Sequence, residues 1–167
     1  MKRDLIGVSS VAGVVFRGSE VLLILRRDVP VWVLPGGGIE SNESPEEAVV
    51  REIYEETGFQ VQIKRLVGDY LPLNRLARRT FLYECEIVKG EIKESFESRE
   101  VRFFSLKELP KMPPPYETWI EEAAQKGPPL QRALSEITYQ RLFSYLLSHP
   151  GLVIRFLMAR WGFPMNR

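Results

Sequence analysis

The chain has 167 residues but a single cysteine and a single histidine. One cysteine, Cys85, excludes an internal disulfide. It sits in an apolar–polar alternation and reads as a buried strand residue in a reducing compartment. His149, beside Pro150, reads as a helix-end residue rather than a catalytic one. No stretch reaches the ~20 apolar residues of a membrane span. Met1 to Ile6 lacks the long apolar run of a secretory signal, so the expectation is a cytoplasmic protein. Neither sign of charge dominates: 23 Lys and Arg against 22 Asp and Glu give a net charge of +1. That excludes a broad nucleic-acid surface. There is no internal repeat. What remains is ordinary for one compact domain with its own core, at 44 % hydrophobic and 27 % charged residues.

The informative stretch is Gly37 to Phe59. A helix turns ~100° per residue, so Glu52, Glu55 and Glu56 share one side. Like charges at these spacings repel by a few tenths of a kcal/mol per pair, so something positive belongs among them. Clustered carboxylate oxygens suit Mg²⁺ or Mn²⁺, whose usual task is to hold phosphates. The helix is easily bounded. Ser44 is an N-cap, Pro45 takes the first helical position, Glu47 completes a capping box, and Gly58 stops the last turn. Val49 and Ile53 lie beside the carboxylate face, with Val50 and Tyr54 further round. Just upstream, residues 34–38 (LeuProGlyGlyGly) read as an irregular loop whose backbone approaches something closely or needs positive φ. A Glu-rich helix alone would be a solvated face; the glycine loop and the fixed spacing argue for a site.

Gly37, Glu43, Arg51, Glu52, Ile53, Glu55, Glu56, Gly58 and Phe59 fit the pattern G-x5-E-x7-R-E-U-x-E-E-x-G-U without gap or substitution. This resembles the Nudix box, here residues 37–59, and the likeness extends more loosely from about Val8 to Pro110. The resemblance implies an α/β/α sandwich with a mixed sheet. It also implies hydrolysis of a nucleoside diphosphate linked to another group, X, by water attacking a pyrophosphate phosphorus. Glu52, Glu55 and Glu56 match the family's metal ligands for Mg²⁺, or Mn²⁺, with Glu56 the most central. A backbone carbonyl near Gly36 is a further candidate ligand. Arg51 would pair with Glu43 and hold the loop against the helix. The Gly36, Gly37 and Gly38 backbone can approach metal or diphosphate. The general base is expected on the loop before the strand at 101–104, with Glu97 preferred over Glu100; a box glutamate is the alternative.

The identity of X stays open: family members accept ADP-ribose, other nucleotide sugars, nucleoside triphosphates or dinucleoside polyphosphates. Pro72 and Tyr70 do not fall at the spacings associated with the ADP-ribose and dinucleoside subgroups. The coenzyme A signature is absent. Arg75, Arg78 and Arg79 form a basic cluster that either contacts phosphates or is a solvated loop. Trp32, Tyr70, Tyr83 and Phe104 are candidates for base stacking, against a core role at strand positions. The substrate-binding candidates are thus Gly37, Gly38, Arg79 and Tyr70. Two competing classes are a non-catalytic nucleotide-binding module, which usually loses box glutamates, and an isoprenoid diphosphate isomerase.

Residues 6 to about 106 are strand-rich. The pattern predicts strands at 7–16, 21–26, 31–34, 60–71, 79–88 and 100–106, a turn at 17–20, and a short helix at 107–109 ended by Pro110. A catalytic domain over 1–110 is followed by a helical C-terminal extension over 111–167. That extension begins with Pro113–Pro115 as an extended spacer. Helical patterns follow at 119–125, 130–134 and 139–147, with an apolar segment from Gly151 to Trp161. It covers the sheet, forms a homodimer surface, or lies on a membrane.

Overall fold

Alternation along the strands decides the architecture. The computed structural model describes residues 9–73, 77–93, 95 and 98–135. In β1 (Ser10–Arg17) and β2 (Glu20–Arg26) both faces are buried. Successive strand side chains point to opposite faces. Val11, Val15, Leu22 and Ile24 therefore join one hydrophobic cluster, and Ala12, Val14, Val21 and Leu23 join another. A sheet buried on both faces needs a layer on each. Helix α1 (Pro45–Thr57) covers the first face with Ala48, Val49 and Ile53. Helix α2 (Tyr116–Ala124) covers the second with Trp119, Ile120 and Ala123. The expected α/β/α sandwich is thus formed.

The other strands are β3 (Trp32–Val33), β4 (Gly36–Gly38), β5 (Phe59–Leu71), β6 (Thr80–Gly90), β7 (Ser98–Ser105) and β8 (Leu130–Ala133). Their order is β3-β2-β1-β6-β5-β8, with β4 paired to β1 and β7 to β2. The β1–β6 and β5–β8 ladders are parallel and the rest antiparallel, so the sheet is mixed. Among the described residues no helix is long and apolar enough to cross a membrane.

Four segments depart from the sequence reading. Pro113–Pro115, expected to be an extended spacer, makes a turn into α2, with the Tyr116 N–H donating to the Pro113 carbonyl (3.3 Å). Gly36–Gly38, expected to be irregular, pairs with Ser10–Ala12 as a short strand. A Cβ on Gly36 would fall 2.2 Å from the Val11 carbonyl oxygen, so glycine lets the chain come close enough to pair. Residues 107–109, expected to be helical, form only a turn. The Glu108 N–H reaches the Ser105 carbonyl (3.0 Å), and Pro110 cannot continue a helix. Leu130–Leu134, also expected to be helical, supplies β8. Four residues after two prolines nucleate a helix poorly, whereas the free edge of β5 offers a ladder to Leu130–Ala133. The later helical patterns, at 139–147 and 151–161, and His149 lie outside the described residues.

Helix α1 is fixed at both ends as its sequence predicts. Glu47 N–H donates to Ser44 Oγ (3.2 Å) and Ser44 N–H donates to Glu47 Oε2 (2.8 Å). Gly58 takes the left-handed conformation at φ 82°. A Cβ there would lie 2.5 Å from the Glu91 carbonyl oxygen. Gly58→Ala is therefore expected to lower unfolding free energy by about 1–3 kcal/mol. Urea denaturation measures this; a loss near zero would show that the helix end relaxes freely.

Candidate active site

Arg51 is the hub of the box. Its Nε donates to Glu43 Oε1 (2.7 Å) and its Nη2 to Glu43 Oε2 (3.0 Å). Nη1 donates to Glu52 Oε1 (3.0 Å) and Glu55 Oε2 (3.1 Å). Nη2 also donates to the Gly38 carbonyl (3.1 Å). One planar guanidinium thus joins the loop after β4 to two turns of α1. The Glu43 pairing foreseen from the sequence is present, and the contacts to Glu52, Glu55 and Gly38 add to it. The guanidinium beside Glu43 holds that carboxyl down at about 2, helped by the Glu40 N–H, while Arg51 itself is pushed above the usual arginine range, chiefly by Glu43.

Glu52 and Glu56 are the buried carboxylates of the box, 9 % and 4 % exposed. The Gly36 N–H donates to Glu56 Oε2 (2.8 Å). A Cβ on Gly37 would lie 2.3 Å from Glu52 Oε1. The glycine strand is therefore the wall against which both carboxylates rest, and a side chain on Gly37 would displace Glu52. Glu55 is more open, with its side chain 56 % exposed and drawn to Arg51. Among the described residues no three Asp, Glu, His or Cys side chains form a closed metal cage. Arg51 Nη1 bridges Glu52 and Glu55. Two buried carboxylates beside glycine backbone nevertheless fit Mg²⁺, which is usually held by one or two carboxylates with water and substrate phosphate completing its shell.

The other sequence candidates are placed as follows. Glu97 and Arg75 lie outside the described residues. Glu100 is in β7 and pairs with Arg102 (2.5 Å). Arg79 is bidentate to Asp69 (2.9 and 2.7 Å) and lies 4.7 Å over the Phe81 ring. It holds the Asp69 carboxyl below the usual range. Tyr70 is fully buried, 5.0 Å from Trp119, and its hydroxyl donates to Glu122; it serves the core under α2. Trp32 packs edge-on against Phe104, 4.6 Å away. Tyr83 donates to Glu46 (2.8 Å), and burial together with that carboxylate raises its hydroxyl above the ordinary tyrosine value. Cys85 is buried, its thiol pushed up to about 12 by burial.

An open groove of about 840 Å³ runs along the neighbouring flank of α1, past Glu43, Glu47, Val50, Arg51, Tyr54 and Ile63. Glu52 and Glu56 do not line it, so the buried box carboxylates, not this groove, mark the site. Two polar features escaped sequence reasoning. Arg65 donates to Glu84 (2.7 Å), Ala123 O (2.7 Å) and Gly127 O (2.9 Å), tying the end of α2 to the sheet. Ser98 donates to the Glu56 carbonyl (2.7 Å).

Residues 8–125 match the NUDIX domain. The chain belongs to the Nudix family. It is similar to an ADP-ribose pyrophosphatase of Methanocaldococcus jannaschii, 36 % identical over 119 residues, covering 68 % of this chain and 70 % of that protein. A MutT-like protein of Streptomyces ambofaciens is 40 % identical over 101 residues, 60 % of this chain and 65 % of that protein. Among solved structures, an ADP-ribose pyrophosphatase from Streptococcus suis superposes with a TM-score of 0.65 at 25 % identity, over 75 % of this chain and 98 % of that one. As a Nudix hydrolase with an unbroken box, the protein is a pyrophosphohydrolase.

The tie from Arg51 sets a pH dependence. A lowered carboxyl stabilises above its unfolded value and loses that stabilisation as pH falls through its folded value. The Glu43–Arg51 contact should be intact above pH 4.5 and disappear as pH approaches 2. A ¹³C NMR titration of the Glu43 carboxyl should show an inflection near 2, and Arg51→Gln should return it towards 4.5. An ordinary inflection in the wild-type protein would mean the tie is absent in solution.

Proposed function

We propose that this Nudix hydrolase uses Mg²⁺ to cleave the pyrophosphate of a nucleoside diphosphate joined to an X of low charge, such as the sugar of ADP-ribose. The metal part rests on Glu52 and Glu56, buried together against the glycine strand. A divalent ion there would neutralise pyrophosphate charge and make water more acidic. Glu52 and Glu56 would hold it, with Glu55 and the Gly36 carbonyl as further candidate ligands. Arg51 fixes Glu52 in place, and the Gly36 N–H orients Glu56. Gly37 and Gly38 leave room for the diphosphate to approach the backbone. Glu97 is the proposed general base, taking a proton from the attacking water. A cytoplasmic setting with a small nucleotide as partner is assumed.

The low charge of X is carried by one observation. Three described arginines near the box are committed to carboxylates: Arg51 to three, Arg26 to Asp28 (2.9 and 2.6 Å), and Arg79 to Asp69; Arg27 donates instead to the Ser95 and Ser98 carbonyls. A paired guanidinium contributes little net charge to a polyphosphate tail, since the partner cancels most of its field. Two relatives named as ADP-ribose pyrophosphatases agree with this reading.

The test is a hydrolysis panel with Mg²⁺ and with Mn²⁺. ADP-ribose or another nucleotide sugar should be turned over ahead of nucleoside triphosphates and dinucleoside polyphosphates, and chelation by EDTA should abolish turnover. A triphosphate preferred by tenfold or more would overturn the assignment of X. Glu56→Gln should lower kcat by roughly 10²–10³-fold, the scale of several kcal/mol of transition-state stabilisation. Wild-type rates in that variant would remove Glu56 from the metal site.

A further inference from the structure

The last carbonyls of a helix have no partner within it. In α1 they are met by the chain returning between β6 and β7. Lys93 N–H donates to the Thr57 carbonyl (2.9 Å), and Ser98 Oγ donates to the Glu56 carbonyl (2.7 Å) across 42 positions of sequence. Ser98 is fully buried, 0 % exposed. A buried hydroxyl spent on a main-chain carbonyl of a proposed metal ligand calls for a reason beyond solubility.

Its placement is over-determined. Ser95 N–H donates to Ser98 Oγ (3.2 Å), Ser98 N–H donates to Ser95 Oγ (3.0 Å), and the two hydroxyl oxygens lie 2.9 Å apart. From outside, Arg27 Nη2 donates to the carbonyls of Ser95 (3.2 Å) and Ser98 (3.1 Å). The β2–β7 ladder breaks register here: Leu25 faces Glu100 but Arg26 faces Ser98, leaving Arg99 as the extra residue. Such a bulge re-aims side chains relative to the regular alternation, and Ser98 is directed at the helix end. Glu56 is thereby held twice, its carboxylate by the Gly36 N–H and its carbonyl by Ser98.

We propose that Ser98, braced by Arg27, is a positioning residue that sets the Glu56 carboxylate for the divalent ion. The inference rests on the metal reading of the preceding subsection. Without the Ser98 hydroxyl the Glu56 carbonyl is left buried without that donor, and the last turn of α1 shifts to recover one. The carboxylate of Glu56 moves with it, away from the place fixed by Gly36 and Glu52. Partners of this kind, one bond removed from the ion, change metal affinity by roughly 10–100-fold.

The experiment measures Mn²⁺ affinity from the electron paramagnetic resonance signal of the free ion, with circular dichroism as a check on folding. Ser98→Ala should bind Mn²⁺ about tenfold more weakly than the wild-type protein, and its kcat should recover at saturating Mn²⁺. In a Glu56→Gln background the same change should make no further difference, because the group it positions is gone. Arg27 is exposed, so Arg27→Gln serves if Ser98→Ala does not fold; it should weaken Mn²⁺ binding a few-fold. Equal affinities in wild type and variants, or an undiminished loss in the Glu56→Gln background, would overturn the proposal. Failure of the wild-type protein itself to bind Mn²⁺ would instead overturn the metal reading on which it stands.

Discussion

The site depends on the contact between Arg51 and the carboxylates of the box. Four glutamates within one loop and helix would repel each other and open the last turns of α1. A single guanidinium with donors in a fixed fork reaches three of them and a main-chain carbonyl. Lysine would carry the same charge but not the same geometry, since its three donors share one point. The pairing neutralises Glu43 and part of the charge of Glu52 and Glu55, while the Gly36 N–H donates to Glu56. Charge is thus distributed unevenly along one helix face, and the more buried carboxylate accepts from a neutral main-chain N–H.

That arrangement is possible only because the helix and the glycine strand are fixed relative to each other. Val49 and Ile53 of α1 lie in the same cluster as Val11 and Val15 of β1, and β4 is paired to β1. The strand that carries the core thus also carries the wall of the site. A substitution that moved β1 would shift Gly36 and Gly37 against Glu56 and Glu52 together. The second cluster, under α2, holds the other face of the same strands and meets the site through Ala12, the ladder partner of Gly36.

Much of this is legible in the residues because it is local. Ser44, Pro45, Glu47 and Gly58 bound α1 through contacts a few positions apart, and the glutamate spacing follows from the helical period. Non-local features are hidden. Three consecutive glycines look irregular, and only the neighbouring Ser10–Ala12 edge makes them a strand. Leu130–Ala133 has the composition of a helix, but β5 offers it a ladder. Arg79 reads as a free phosphate contact until Asp69, ten positions earlier, is found beside it. Tyr70 reads as a stacking residue, although its strand parity points it under α2. Ser98 looks like any loop serine, and its bond to Glu56 depends on a bulge that no short-range pattern announces.

On the proposed function, the same pairing that ties the box together also bears on what it would recognise. A substrate carrying many phosphates needs cations that are free to meet them, and a cation already bonded to a carboxylate would have to give up that bond first. Breaking Arg79 from Asp69 would take the arginine partner from a carboxylate that is 8 % exposed and leave it Gln131 as a donor, a loss that a distant phosphate contact would only partly offset. A metal ion carries no such debt, because two of its prospective ligands are already gathered and buried. In the function proposed above, the positive charge that a pyrophosphate requires would then come from the ion rather than from side chains. Such a division would favour a substrate whose negative charge is concentrated at the scissile linkage and whose distal part is neutral.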